Sequence, residues 1–201
     1  GILRQAISLS LLLLSVKFLK ENKLLKYIML VIFASLFHKT ALIFLLLYPL
    51  KYIKLNKNTM IIFSIAVLLL FLFGDVVINF ILSFIYKPAN TTFHSGSGYK
   101  LLILLYCLSL FAFDYKDKLK NLGSYNLDFI KFLMLGTMIQ SLSPTFENTG
   151  RITLYFFPFL CIIVSNLLEV IKNIKLTILM FIVLSIYFYI KTNNLFYELL
   201  F

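Results

Sequence analysis

Two side chains in this sequence are better suited to anion chemistry than any other, Arg4 and Arg151. They are the only arginines among nineteen Lys and Arg residues. A guanidinium presents a planar fork of donors that matches phosphate oxygens and does not lose its charge, whereas lysine offers a mobile point charge. Each arginine stands at the start of an apolar run, as do Lys39 with His38 and Lys100. A helix N-terminus adds unpaired N–H groups and the positive end of the helix dipole, so four such ends make an anion-binding surface. The same two arginines could instead be interfacial anchors or bind lipid headgroups.

The acid–base candidates are fewer. His38, at a break between apolar runs, could bind a phosphate or a sugar hydroxyl or act as a base near neutral pH. A histidine at a tight turn is also often just a satisfied cap. His94 lies in a loop and is a weaker candidate, and Glu147 and Asp75 follow His38 as possible bases or sugar-hydroxyl acceptors. The sequence has no metal-ligand spacing, glycine-rich phosphate loop, Gly-x-Ser-x-Gly elbow or paired carboxylates at helical spacing. Neither a hydrolase nor a metalloenzyme is expected, and no metal or cofactor.

The elements that would position these groups are hydrophobic. Of 201 residues 61% are hydrophobic and 13% charged, with the charges in islands between apolar runs, which is a bilayer signature. The expected fold is all-α, a single integral membrane domain of transmembrane helices over 1–201. At about 20 residues per span there is room for roughly eight. The runs are 2–16, 24–37, 40–53, 60–73, 99–113, 127–141, 152–168 and 176–190.

A net charge of +11 does not point to nucleic acid, because the lysines sit at the ends of apolar runs, where they meet lipid headgroups. Lys17/Lys20/Lys23/Lys26, Lys51/Lys54/Lys57, Lys116/Lys118/Lys120 and Lys172/Lys175 are each two spans apart. Eight spans put all four clusters on one side, the cytoplasm by the positive-inside rule. That arrangement requires 24–53 to be a tight hairpin turning at His38, with arms short for a ~30 Å core. The opposite face then carries Arg4, His38-Lys39, the connection 74–98, the segment 143–150 and Arg151.

Within that connection, 76–86 is apolar enough to lie in the interface or re-enter, and 87–98 is a loop. Cys107 and Cys161 fall inside apolar runs and are expected to be two packed thiols, with no disulfide. The opening Gly1-Ile2-Leu3-Arg4 carries no Met, so the chain reads as the C-terminal portion of a longer protein.

Two local patterns are familiar. Leu3-Arg4-Gln5-Ala6-Ile7, followed after a span and a Lys-rich turn by Phe37-His38-Lys39-Thr40-Ala41, resembles the EpsG-type membrane family of exopolysaccharide polymerases. In that family an Arg-Gln pair precedes a Phe-His-x-Ser/Thr-Ala segment. Gly150-Arg151-Ile152-Thr153-Leu154-Tyr155-Phe156 resembles the family's Arg-x-x-x-Tyr segment opening a late helix.

The resemblance implies a Wzy-like, metal-independent polymerase of oligosaccharide repeat units on polyprenyl diphosphate, working at the outer face of the bacterial cytoplasmic membrane. It implies that Arg4 and Arg151 clamp the diphosphate and that His38 supports it or handles the acceptor proton. Tyr155 would orient the site, with Gln5 and Lys39 of the matching segments contacting substrate; Glu147 and His94, which no family segment covers, are substrate-contact candidates from residue type alone. Implied partners are lipid-linked oligosaccharides, membrane lipids and a chain-length regulator protein. Rival readings are a flippase for the same glycans, an O-antigen ligase-like transferase and a purely structural membrane protein.

Overall fold

The computed structural model describes residues 2–85, 98–146 and 148–172, with isolated positions at 178, 182 and 185. Every regular element among these residues is helical. In order they are α1 (Ile2–Lys20), α2 (Leu24–Phe37), a 3-10 segment (Lys39–Leu46), α3 (Leu47–Lys51), α4 (Lys57–Leu72) and α5 (Gly74–Ile85). These are followed by α6 (Tyr99–Asp114), α7 (Lys116–Leu122), α8 (Asn126–Gln140), α9 (Asn148–Thr153), a 3-10 turn (Leu154–Phe156) and α10 (Phe157–Ile171).

The ends of these helices follow from local chemistry. Asn22 takes a left-handed conformation (φ 57°) just past α1, which asparagine tolerates better than most residues. The Asn56 side chain caps α4 by accepting from the Thr59 N–H at 2.8 Å, satisfying one of the four donors a helix start leaves free. At His38 the backbone becomes extended (φ −150°, ψ 111°) and ends α2. The chain then doubles back, and the Tyr27 hydroxyl donates to the Phe44 carbonyl across the return. The hairpin at His38 is therefore present.

Its second arm differs from the expected continuous α-helix over 40–53. Eight residues are 3-10, and only Leu47–Lys51 is α. A 3-10 turn rises about 2.0 Å per residue against 1.5 Å in an α-helix, so this arm spans roughly 23 Å with few residues. Pro49, which has no N–H to donate, sits within the short α3.

The centre of the bundle is α8, buried on nearly all sides and packed against α3, α4, α6, α7, α9 and α10. Gly136 lets the 3-10 turn before α10 approach, since a β-carbon there would stand 2.8 Å from Phe156 Cβ. Around it lie the fully or nearly fully buried rings of Phe44, Phe132, Tyr155, Phe156 and Phe159. The outward faces are apolar too. Leu25, Leu36, Ile62, Val76, Phe80 and Ile103 are all more than half exposed.

Among the described residues one continuous helix, Thr149–Ile171, is long and apolar enough to cross a membrane. A second candidate is the pair Lys57–Leu72 and Gly74–Ile81, bent by 81°. The described helices thus account for one or two of the roughly eight expected spans by length and composition; α2 has 14 residues and the arm after it is split. The last expected run, 176–190, lies outside the described residues except for positions 178, 182 and 185. Cys107 and Cys161 are free, as expected, but exposed rather than packed. Both project from the outward sides of α6 and α10, because the inward positions of those helices are taken by Leu101, Leu105, Leu108 and Ala112 and by Phe159, Ile163 and Leu167.

Candidate functional site

Three sequence segments that are far apart in the chain meet at one end of the bundle. Gln5, in the first turn of α1, donates from Nε2 to the Arg151 carbonyl oxygen at 2.7 Å. This bond joins residues 146 positions apart and places the starts of α1 and α9 side by side. Arg4 and Arg151 are both exposed. Among the described residues neither guanidinium is held by an ion pair or hydrogen bond. Both forks are thus available to an anion.

The second contact runs through Tyr155. His38 Nδ1 lies 2.6 Å from Thr40 Oγ1, and Thr40 Oγ1 donates to the Tyr155 hydroxyl at 3.4 Å. Nδ1 is thus engaged by Thr40, and Nε2 is the ring nitrogen left without a hydrogen-bond partner among the described residues. The Tyr155 ring meets His38 edge-on at 6.2 Å between centroids and Phe44 at 6.1 Å. Tyr155 is fully buried, while His38 is half-buried and Lys39 exposed. A rigid phenol thus fixes a partly accessible imidazole.

Tyr155 belongs to the 3-10 turn that follows Arg151 by one helical turn, so one short segment carries both a guanidinium and the ring that fixes His38. The start of α6 joins the same end. Gln140 Nε2 donates to the Gly98 carbonyl at 3.1 Å. A β-carbon at Gly98 would collide with Ser143 Oγ, so only glycine permits this approach. Lys100 is exposed in the first turn of α6. Asp75 is exposed at the start of α5, whose Gly74 abuts Thr145. Glu147 and His94 lie outside the described residues.

The opposite end gathers the lysines. Lys51 Nζ donates to the Leu19 carbonyl at 2.8 Å and to Asn22 Oδ1 at 2.6 Å, capping the C-terminus of α1. Lys20 Nζ sits over the Tyr125 and Phe129 rings at 4.3 and 4.6 Å. Its partial burial lowers its pKa from the ordinary lysine value, against the pull of Asp128. Lys131, nearly buried, pairs with Asp128 at 2.7 Å and donates to the Lys51 carbonyl at 2.7 Å. The two ends of the bundle therefore differ in kind, with Lys20, Lys51 and Lys131 gathered at one and both arginines at the other.

Sequence reasoning missed four polar residues. Thr40 lay within the quoted motif, but its link between His38 and Tyr155 needs the fold. Lys131 is signalled only by its i, i+3 spacing from Asp128, which puts both on one helix face. Ser8 and Gln140 are buried and leave Ser8 Oγ and Gln140 Oε1 without a hydrogen-bond partner. Polar residues inside apolar runs were the available sign.

No curated protein and no solved structure matches the chain. The family model described as EpsG family matches residues 1–199, which includes the Arg-Gln pair, the Phe-His segment and the Arg-x-x-x-Tyr segment whose contacts assemble this end of the bundle, and the chain belongs to the EpsG family.

Proposed function

We propose that this chain is a membrane glycosyltransferase that polymerises oligosaccharide repeat units carried on polyprenyl diphosphate into a surface polysaccharide. The observation that carries the reading is the meeting of Arg4-Gln5, His38-Thr40 and Arg151-Tyr155 at one end of the bundle. The lysine-rich end faces the cytoplasm by the positive-inside rule, which puts the arginine end at the outer face of the cytoplasmic membrane. The exposed apolar faces of α1, α2, α4, α5 and α6 support a multi-pass protein in one membrane domain, since a monomer in water rarely exposes so much. The described helices fit such a domain as broken and hairpin spans, with α5 lying across the boundary.

In the proposed step an acceptor hydroxyl of one lipid-linked unit attacks the anomeric carbon of the glycan on the other. The new carbon–oxygen bond forms as the bond to the diphosphate breaks, and the electron pair leaves on the polyprenyl diphosphate. Negative charge grows on that leaving group, so guanidinium forks fixed beside it stabilise the transition state more than the ground state. His38 Nε2 takes the acceptor proton, with Thr40 and Tyr155 holding the ring. Gln5 ties Arg151 to α1, and Lys39 adds positive charge at the rim. Glu147 and His94 remain candidate sugar contacts. A chain-length regulator protein is a candidate partner.

A flippase would use charged groups on a path through mid-span. The buried Lys131–Asp128 pair sits in the first two turns of α8, at the lysine end, and does not form such a path. The test is reconstitution of the purified full-length protein in vesicles with lipid-linked repeat units. A ladder of polymers with stoichiometric release of polyprenyl diphosphate is expected. Transfer to a lipid A core with no unit-to-unit joining would replace the polymerase reading with a ligase.

A further inference from the structure

We propose that the groove between α4 and α6 seats the isoprenoid chain of the lipid-linked substrate whose diphosphate faces Arg151. This deepens the polymerase reading and rests on it. The groove encloses about 500 Å³ and is lined by Ser64, Val67, Phe71, Tyr99, Leu102 and Tyr106, among others. Ile65, Leu68 and Ile103, also in its wall, are more than half exposed, so it opens sideways rather than toward the bundle axis.

Its polar lining is largely spent. The Tyr106 hydroxyl donates to Ser64 Oγ at 3.0 Å, which pairs these two groups with each other and leaves the floor suited to an apolar occupant. From Tyr99 to Tyr106 the groove follows α6 for about 10 Å, at 1.5 Å per residue, room for a short stretch of isoprenoid.

What identifies the occupant is where the groove begins. Tyr99 follows Gly98, which packs on Ser143, and a β-carbon on Gly150 would stand 3.4 Å from the same Ser143 Oγ. Gly150 directly precedes Arg151. Gly98, beside the mouth of the groove, and Gly150, beside Arg151, thus flank the same Ser143, which brings the mouth close to the proposed diphosphate clamp. Lys100 is exposed in the turn beside the mouth, a further cation for an anionic head. An amphiphile with a phosphate head and a long apolar tail matches this order of charge and grease, and the nearness of the mouth to the Arg151 segment favours the polyprenyl substrate over a bulk bilayer lipid.

These 201 residues contain no tryptophan, so an indole introduced in the groove is read as the difference in emission from the wild-type protein in the same nanodiscs. In full-length protein reconstituted in phosphatidylcholine nanodiscs, the Ile103→Trp variant is titrated with a polyprenyl monophosphate or with phosphatidylglycerol. Leu68→Trp serves as a second reporter in the groove wall, and Ile61→Trp, exposed on α4 and outside the groove, is the control. A saturable emission shift in both groove variants, about tenfold tighter for the polyprenyl phosphate than for phosphatidylglycerol, and none in the control, is expected. An equal response to phosphatidylglycerol makes the groove a seat for bilayer lipid and overturns the proposal, as does no response. If the wild type polymerises while the groove stays silent, the groove assignment falls and the polymerase reading stands. Groove binding by a protein that forms no polymer keeps the isoprenoid seat and removes the polymerase reading.

Discussion

Replacing Gln5 by alanine removes a single hydrogen bond and leaves both guanidinium groups in place, so it separates the position of Arg151 from its charge. The lost bond is a 2.7 Å amide-to-carbonyl contact at a half-exposed site. Its net contribution to stability is about 1 kcal/mol, which for a chain of this size lowers the thermal midpoint by roughly 2–4 °C. A loss that small barely changes the folded fraction at 25 °C. If the bond instead holds the Arg151 segment at working distance from a diphosphate, a shift of about 1 Å costs up to about 10²-fold in rate. The expected signature is a midpoint lowered by a few degrees with the initial rate of polymer formation down tenfold or more. The assay pairs circular dichroism melts with gel ladders from reconstituted protein supplied with lipid-linked repeat units. A rate that falls only as far as the folded fraction does would refute the reasoning, because Gln5 would then only hold the fold.

Three further perturbations address other parts of the structure. Lys131→Met leaves Asp128 as an unpaired carboxylate; removing one partner of a buried pair costs 3–5 kcal/mol, and because the Asp128 side chain keeps 19% exposure the loss should be roughly 2–3 kcal/mol, read as a lower denaturation midpoint and restored in part by Asp128→Asn in the same chain. Gly136→Val drives a side chain into Phe156, whose Cβ is 2.8 Å from the new β-carbon; overpacking of this kind costs about 1–3 kcal/mol, and because Phe156 adjoins Tyr155 polymer yield should fall further than stability does. In a background with Cys107 and Cys161 changed to serine, Lys39→Cys should react with a membrane-impermeant maleimide in intact cells and Glu21→Cys only after permeabilisation; the reverse pattern would invert the proposed orientation.

The legible parts of the fold were those set by local chemistry. The break at His38 could be read because the lysine clusters had to share one side, and α2 ends at the expected residue for that reason. The 3-10 geometry of Lys39–Leu46 could not, since Leu, Ile and Phe suit either helix and the return contact from Tyr27 to Phe44 belongs to the tertiary fold. The exposure of Cys107 and Cys161 was hidden for a related reason. In a run apolar on all sides, composition does not say which face meets the core.

At the site, residue type was informative and adjacency was not. Two arginines among many lysines marked the end now proposed to bind an anion, and the family pattern added Gln5 and Tyr155. That Gln5 grips the backbone of Arg151, or that Thr40 bridges His38 to a buried phenol, requires chain segments more than a hundred residues apart to be in contact.

The most direct test of the central claim changes each arginine to lysine, which keeps the charge and removes the fork. Cells carrying wild-type, Arg4→Lys or Arg151→Lys protein at matched membrane levels would be compared for polymer ladders and for the leaflet in which lipid-linked units accumulate. Ladders that collapse to single repeat units held on the outer leaflet are expected. Units held on the inner leaflet would instead show a flippase, and unchanged ladders would show that Arg4 and Arg151 serve only as anchors.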